Sequence, residues 1–460
     1  MRRSLVAAAA AACALLATTT AAAAPRPLYD VRLFAHVPSP GSPEPVVVAP
    51  DRTVYVGTNQ AGKGSDADAA APSRVFAFSP AGKLLRSYVL HGQPLGQDHG
   101  IQGLAQDGDG LLYVLDRSAD PRVVVLDPVT GAQRRYASFH DVPSCSAAGR
   151  TTDCSATVND AAAGPDYATF APDGTLYVTD IDQALIWRVP RGGGRAEVWF
   201  TDQRLESVYG PNGIQLLGDG RTLLFVNTGS NPQAGNPATG RLYRLPILSG
   251  GRPGTLTQLW ESRPVDGPDG FALGRSGRVY LALAGASQMV VLSPTGEELA
   301  RFPATPLENQ QQEVPFNGPA SVAFDGERLL VTNQGFPEGT PDSWAVLDVF
   351  AGETGLPLFR PFVAAPRPRK NPLPRLHLTV RPRRATVGRR TRFRFHVSLH
   401  GRPARGALVR FTGRRVRAGR RGRAWLRFRP RHGGLRHPVA TRRGALPGGG
   451  RVRFVRPKQR

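Results

Sequence analysis

Only three cysteines occur in this chain of 460 residues. Cys13 lies in an N-terminal alanine-rich stretch, which leaves Cys145 and Cys154, close together in one polar loop. So few thiols exclude a disulfide-rich scaffold and a thiolate metal cluster. In an exported chain the pair reads as a disulfide; two free thiols, or half of a metal site, would lack a nearby histidine or further cysteine. Long apolar runs are missing as well. Beyond residue 24 no segment offers the roughly 18 continuous apolar residues of a membrane helix, so nothing past the leader is expected to span a bilayer. No Gly-x-Ser-x-Gly segment is present, which argues against an α/β-hydrolase type of nucleophile. Acidic residues are absent from 366–460, where 31 Lys plus Arg stand unopposed. The first 365 residues hold 28 basic residues against all 35 acidic ones, so the net charge of +24 arises from the tail alone. Two domains of different purpose follow.

What is present begins with a leader. Residues 1–24 carry Arg2 and Arg3, then an alanine-rich apolar stretch ending in Ala21 to Ala24 before Pro25. This reads as an export signal, in preference to an uncleaved anchor or a lipoprotein leader through Cys13, and implies a secreted or envelope-associated protein. The Pro-rich run Pro361 to Pro374, centred on 364–373, reads as a linker between a front domain at 29–363 and a tail domain at 374–456.

The front domain repeats. Gly164-Pro165-Asp166, Gly210-Pro211-Asn212 and Gly267-Pro268-Asp269 each deliver an acidic or amide residue into an apolar strand. Glu44, Gln102 and Ala320 complete a series of six, separated by 58, 64, 46, 57 and 51 residues, the spacing of propeller blades with variable loops. Each member precedes a strand centre at Tyr55, Tyr113, Tyr177, Phe225, Tyr280 or Leu330, with an offset of 11 in four cases and of 13 and 10 in the others. Turns such as Pro172-Asp173-Gly174 make each pair of strands a hairpin, and two further apolar strands complete each unit. The expected fold is all-β: a six-bladed β-propeller, then a small β-sandwich. Val31 to Val37 is expected to supply the outer strand of the last blade. A single sandwich or barrel with look-alike turns gives no reason for one polar residue at a fixed distance before each second strand.

In a propeller the start of each innermost strand faces the axis, which makes Glu44, Gln102, Asp166, Asn212, Asp269 and Ala320 one ring. Its three carboxylates repel one another unless a cation sits among them or they take up protons. An all-oxygen donor set suits calcium first and magnesium second, and zinc less, since the ring lacks histidine and thiolate. The bland alternative is that Asp and Asn merely satisfy backbone groups at strand entry.

Pro211-Asn212-Gly213, Pro268-Asp269-Gly270 and Glu44 resemble motifs of the family of senescence marker protein, gluconolactonase and luciferin-regenerating enzyme, over about residues 29–363. That resemblance implies a six-bladed propeller with an axial divalent cation and hydrolysis of a small-molecule lactone or related ester. It implies Glu44, Asn212 and Asp269 as metal ligands. Pro45 directly after Glu44 departs from the family pattern. For the third blade the family's Asn-Asp pair resembles Asn159-Asp160, but Asn159 lies 18 residues before Tyr177 and Asp166 lies 11 before it. Register therefore selects Asp166 as ligand and leaves Asn159, with Gln102, as a substrate contact. Asp269 is the candidate base that takes a proton from water, and His91 and His99 are candidate proton shuttles. The competing class is a noncatalytic binding propeller with a structural cation, tethered to the envelope by its basic domain; relatives of strictosidine synthase form a third, remoter comparison.

The tail alternates, as in Arg392-Phe393-Arg394-Phe395-His396-Val397 and Arg423-Ala424-Trp425-Leu426-Arg427-Phe428, which implies strands. Gly401 to Val409 resembles the linking segment of bacterial immunoglobulin-like domains attached to exported proteins. For an exported chain, so much arginine points to anionic envelope polymers or lipid headgroups, with nucleic acid disfavoured, and a solvated domain without a ligand as the plain alternative.

Overall fold

The structure, a computed structural model, describes residues 26–59, 70–143, 162–229, 239–335, 343–363, 376–399, 401–442 and 445–457. The leader, Cys145, Cys154, Asn159 and the centre of the linker lie outside the described residues. Contacts divide the chain into Met1–Ala364 and Ala365–Arg460.

The first unit is a β-propeller. Its described strands form six four-stranded antiparallel meanders, whose innermost strands are Ser42–Val48, Gly100–Gln106, Pro165–Phe170, Tyr209–Leu216, Pro268–Leu273 and Pro319–Asp325. Val31–His36 pairs with Ala345–Phe350 as the outer strand of the sixth meander, so the chain's start and end share one blade. The first and sixth blades are further tied at the axis. Thr332 Oγ1 donates to the Glu44 carbonyl at 2.6 Å, and the Val46 amide to Ser321 Oγ at 3.2 Å.

Each interface between successive blades has its own apolar cluster, and six such clusters run around the ring. Both faces of every sheet are therefore covered, which is why middle strands such as Arg122–Leu126, Leu185–Val189 and Val279–Leu283 read as nearly continuous apolar runs. Alternation along a strand sends successive side chains to opposite interfaces. Tyr55 and Tyr113 each pack toward the following blade, as do Tyr177 and Tyr280. Phe225 breaks this rule by packing back toward the third blade, while Leu224 packs forward to the fifth. Register agrees, because the residue three beyond each ring member pairs with Tyr55, Tyr113, Tyr177, Leu224, Tyr280 or Leu330. Phe225 is thus corrected to Leu224 as the fourth blade's equivalent centre. The varying offset reports the length of the intervening hairpin.

The second unit is a small β-sandwich of described strands around one core. Phe393 stacks on Phe428 at 4.9 Å and meets Phe411 edge-on at 5.2 Å. Phe395 and Phe454 complete this aromatic centre. Alternation puts these rings inside and their arginine neighbours outside, which lets a domain so rich in like charge still bury a core.

Candidate functional site

All six innermost strands carry the same irregularity at the same place. Between Pro43 and Val46, Ile101 and Gly103, Pro165 and Ala168, Pro211 and Ile214, Pro268 and Phe271, and Pro319 and Val322, the inner strand has one residue more than its partner. Each is a β-bulge containing the ring position. A bulge twists its strand and re-aims a side chain, so the ring residues owe their orientation to it and not to being the first residue of a strand, as expected above.

Close backbone approach sets their common level. A Cβ on Gly103 would lie 2.3 Å from the Asp166 carbonyl, and one on Gly213 would lie 2.6 Å from the Asp269 carbonyl. On Gly270 it would meet the Tyr167 hydroxyl at 2.6 Å and the Ala320 carbonyl at 2.7 Å. Only glycine allows adjacent inner strands to come this near. Gly270→Ala is therefore expected to destabilise the propeller by about 1–3 kcal/mol through overpacking, and urea unfolding with an unchanged midpoint would contradict it.

Glu44, Gln102, Asp166, Asn212 and Asp269 are all buried, between 2% and 7% exposed. Four of their oxygens have no hydrogen-bond partner: Glu44 Oε2, Asp166 Oδ2, Asn212 Oδ1 and Asp269 Oδ1. The Tyr167 hydroxyl is likewise unpartnered. Orphaned buried oxygens cost about 1–3 kcal/mol each, so four on four blades form a donor set left open. Among the described residues no three histidine, cysteine or carboxylate side chains are gathered into a formed metal cluster. The fit to a cation rests on the orphaned oxygens and on their hard, all-oxygen chemistry.

The electrostatics agree. Burial holds the Glu44 carboxyl well above its usual range, reinforced by Asp269 and Asp166 and opposed by the Asn59 side chain and the Arg117 guanidinium. Asp166 is raised by burial and by Asp269, against Arg117. Asp269 is pushed up to about 7 by burial, moderated by the Tyr167 hydroxyl, the Asn212 amide and the Gly270 amide beside it. Protons or a cation must relieve this ring.

Asn59, Arg117 and Tyr167 escaped the sequence reading. Asn59 donates to Gln102 Oε1 at 3.1 Å, which orients that amide. Arg117 is ion-paired with Asp182 at 2.7 Å. Asn59 and Arg117 occupy matching places, opposite Ser42 and Gly100 at the ends of their second strands. The repeat, extended to those strand ends, would have exposed them. Tyr167 follows Asp166 directly, where the second, fourth and fifth blades have glycine, and nothing local marked it. The histidine shuttles are corrected: His91 is exposed, and His99 has Nδ1 at 2.7 Å from the Gln97 carbonyl and Nε2 at 3.0 Å from the Ala71 carbonyl, which makes it a loop pin.

The other end of the inner strands is crossed by residues 351–363. This strap is held by the Leu356 amide on the Leu273 carbonyl at 2.7 Å, the Gly108 amide on the Pro361 carbonyl at 3.0 Å, and Arg360 on the Val48 carbonyl at 2.5 Å. It helps line a cavity of about 960 Å³. The connections leaving Asn59, Gly229 and Gly335 start at the ring end and lie outside the described residues.

Fold and site together define a β-propeller with a buried acidic ring where its inner strands converge. No family model matches the chain. A protein of Rhizobium meliloti (strain 1021) named "Putative sugar lactone lactonase" is 33% identical over 152 residues, 31% of this chain and 44% of that protein. The chain thus matches less than half the length of this curated relative. Among solved structures, the calcium-binding protein regucalcin from Agrobacterium tumefaciens str. C58 gives a TM-score of 0.48 at 18% identity, over 72% of this chain and 99% of its own. Luciferin-regenerating enzyme gives 0.48 at 13% identity over 72% and 99%. Virginiamycin B lyase from Staphylococcus aureus gives 0.43 at 14% identity over 70% and 99%.

Proposed function

We propose that this protein is an exported, divalent-cation-dependent hydrolase of lactones or related esters. The observation that carries the proposal is the set of four unpartnered, buried oxygens on Glu44, Asp166, Asn212 and Asp269. The lactonase-like relative supports the reaction class. Calcium is the first choice, then magnesium, with zinc the least suited to a ring without nitrogen or sulfur donors. Bound there, the cation would polarise a substrate carbonyl and steady the oxyanion.

The chain's own residues supply the rest. Asp269 takes a proton from the attacking water and returns it to the alkoxide released when the ester C–O bond breaks. Gln102, oriented by Asn59, and Arg117 offer donors to substrate oxygens at the ring. Asn159 is proposed as a further substrate contact, and a Cys145–Cys154 disulfide as a brace for its loop.

Near-complete burial of the ring side chains favours a second reading, a binding propeller whose cation is an enclosed structural pin. A screen of lactones with and without chelator decides between them: turnover that chelator removes supports the enzyme, and calcium binding without turnover of any lactone supports the pin. Calorimetric calcium titration tests the ligand set. Asp166→Ala is expected to weaken affinity at least ten-fold and Asn159→Ala less than three-fold, and the reverse order would refute the register argument.

A further inference from the structure

The second unit carries an organised surface. Thr391–Leu399 pairs with Leu376–Arg381 on one side and Arg423–Phe428 on the other. The inward residues are buried in the aromatic core. Outward, Arg381, Arg394 and Trp425 form one cross-strand row; Arg392 and Arg427 form another; and Arg423 lies diagonally beside them. All six are exposed. Together with neighbouring side chains, most of them line a concavity of about 1200 Å³.

Like charges directly opposite on paired strands are destabilising. Arg381 faces Arg394 and Arg392 faces Arg427, while 366–460 contains no Asp or Glu to offset them. No carboxylate side chain within 366–460 neutralises them, so their counter-charge comes from outside this unit. Its chemistry is indicated by the cations themselves, since 29 of the 31 are arginine, whose planar fork matches phosphate in a bidentate way that lysine cannot. Cations along one strand face recur about every 7 Å, and neighbouring strands lie about 5 Å apart, a lattice suited to a linear chain of phosphates. Trp425 is the one large ring exposed among them, 45% accessible, with the Arg392 guanidinium 5.5 Å from its centre. A single aromatic plate is too little for successive stacked bases, and a concavity with one apolar tip is poorly shaped for a flat bilayer.

We propose that this face binds a linear phosphate-bearing polymer without bases, seated along the strands with its phosphates on Arg381, Arg392, Arg394, Arg423 and Arg427. Long-chain inorganic polyphosphate is the probe, titrated calorimetrically onto the full chain. Saturable binding is expected. Arg392→Ala with Arg394→Ala should weaken it at least ten-fold, while Arg410→Ala with Arg442→Ala, equal charge removed from another sheet, should weaken it less than three-fold. Arg392→Lys with Arg394→Lys keeps charge and fold, and should fall between. Equal losses from the two alanine pairs would overturn the proposal by reducing it to net charge. So would tighter binding of single-stranded DNA of equal phosphate number, or of phosphatidylglycerol vesicles at equal accessible phosphate.

Discussion

Asp269→Ala is expected to lower kcat/KM for lactone hydrolysis by about 10³-fold or more while the propeller stays folded. Asp269 sits in a bulge, in contact range of Tyr167 and Asn212, with Oδ1 lacking a hydrogen-bond partner. Burial pushes its carboxyl up to about 7 in the cation-free ring, and a cation among the ring oxygens would lower it and keep Asp269 ionised as a proton acceptor. That is the property a general base needs. Folding should survive, because removing a buried carboxylate held against its preference also removes a penalty. Asp269→Asn separates its two roles: lost turnover with calcium affinity within about three-fold of the parent marks the base, whereas loss of both marks the ligand. Turnover unchanged in both variants would sink the mechanism.

The second large effect is on stability. In chelator, the melting temperature is expected to fall by several degrees as pH rises from 5 to 8, and added calcium should restore most of the loss at pH 8 and little at pH 5. The carboxyls of Glu44, Asp166 and Asp269 are all raised in the folded protein. Between the unfolded and folded values the folded state binds more protons, so the stability present below the unfolded value is lost as pH rises through the folded one. For Asp269, raised from 3.8 to about 7, the linkage is on the order of 4 kcal/mol across that window. A cation replaces the lost protons as counter-charge, hence its larger effect at high pH. Asp269→Asn should make the pH slope shallower. A melting temperature that rises between pH 5 and 8 in chelator would contradict the ring's electrostatics.

Much of the fold was legible. Arg122–Leu126, Leu185–Val189 and Gln288–Leu292 are among the further apolar strands expected to complete each unit, because a strand buried on both faces leaves an unbroken apolar signature. The fourth blade was misjudged by one residue. Its longer hairpin moves Phe225 out of the equivalent position, and two aromatic or aliphatic neighbours facing opposite interfaces look alike in a sequence. Asp166, Asn212 and Asp269 were legible because a Gly-Pro turn recurs before them, and Glu44 and Gln102 because each stands 11 residues before a strand centre. Tyr167 was not, since its approach to Asp269 links two blades whose neighbourhood no local pattern records.

By itself, the sequence determined the repeat, the two oppositely charged domains and the identity of the ring residues, because turns, apolar runs and charge are local properties of a chain. Tertiary structure decided what those residues face. Six bulges aim them, glycine contacts bring neighbouring strands to one level, and burial leaves four oxygens without partners and lifts the carboxyls from their ordinary range. Desolvation and like-charge repulsion act between residues tens to hundreds of positions apart. They come into being only when the blades close around one axis.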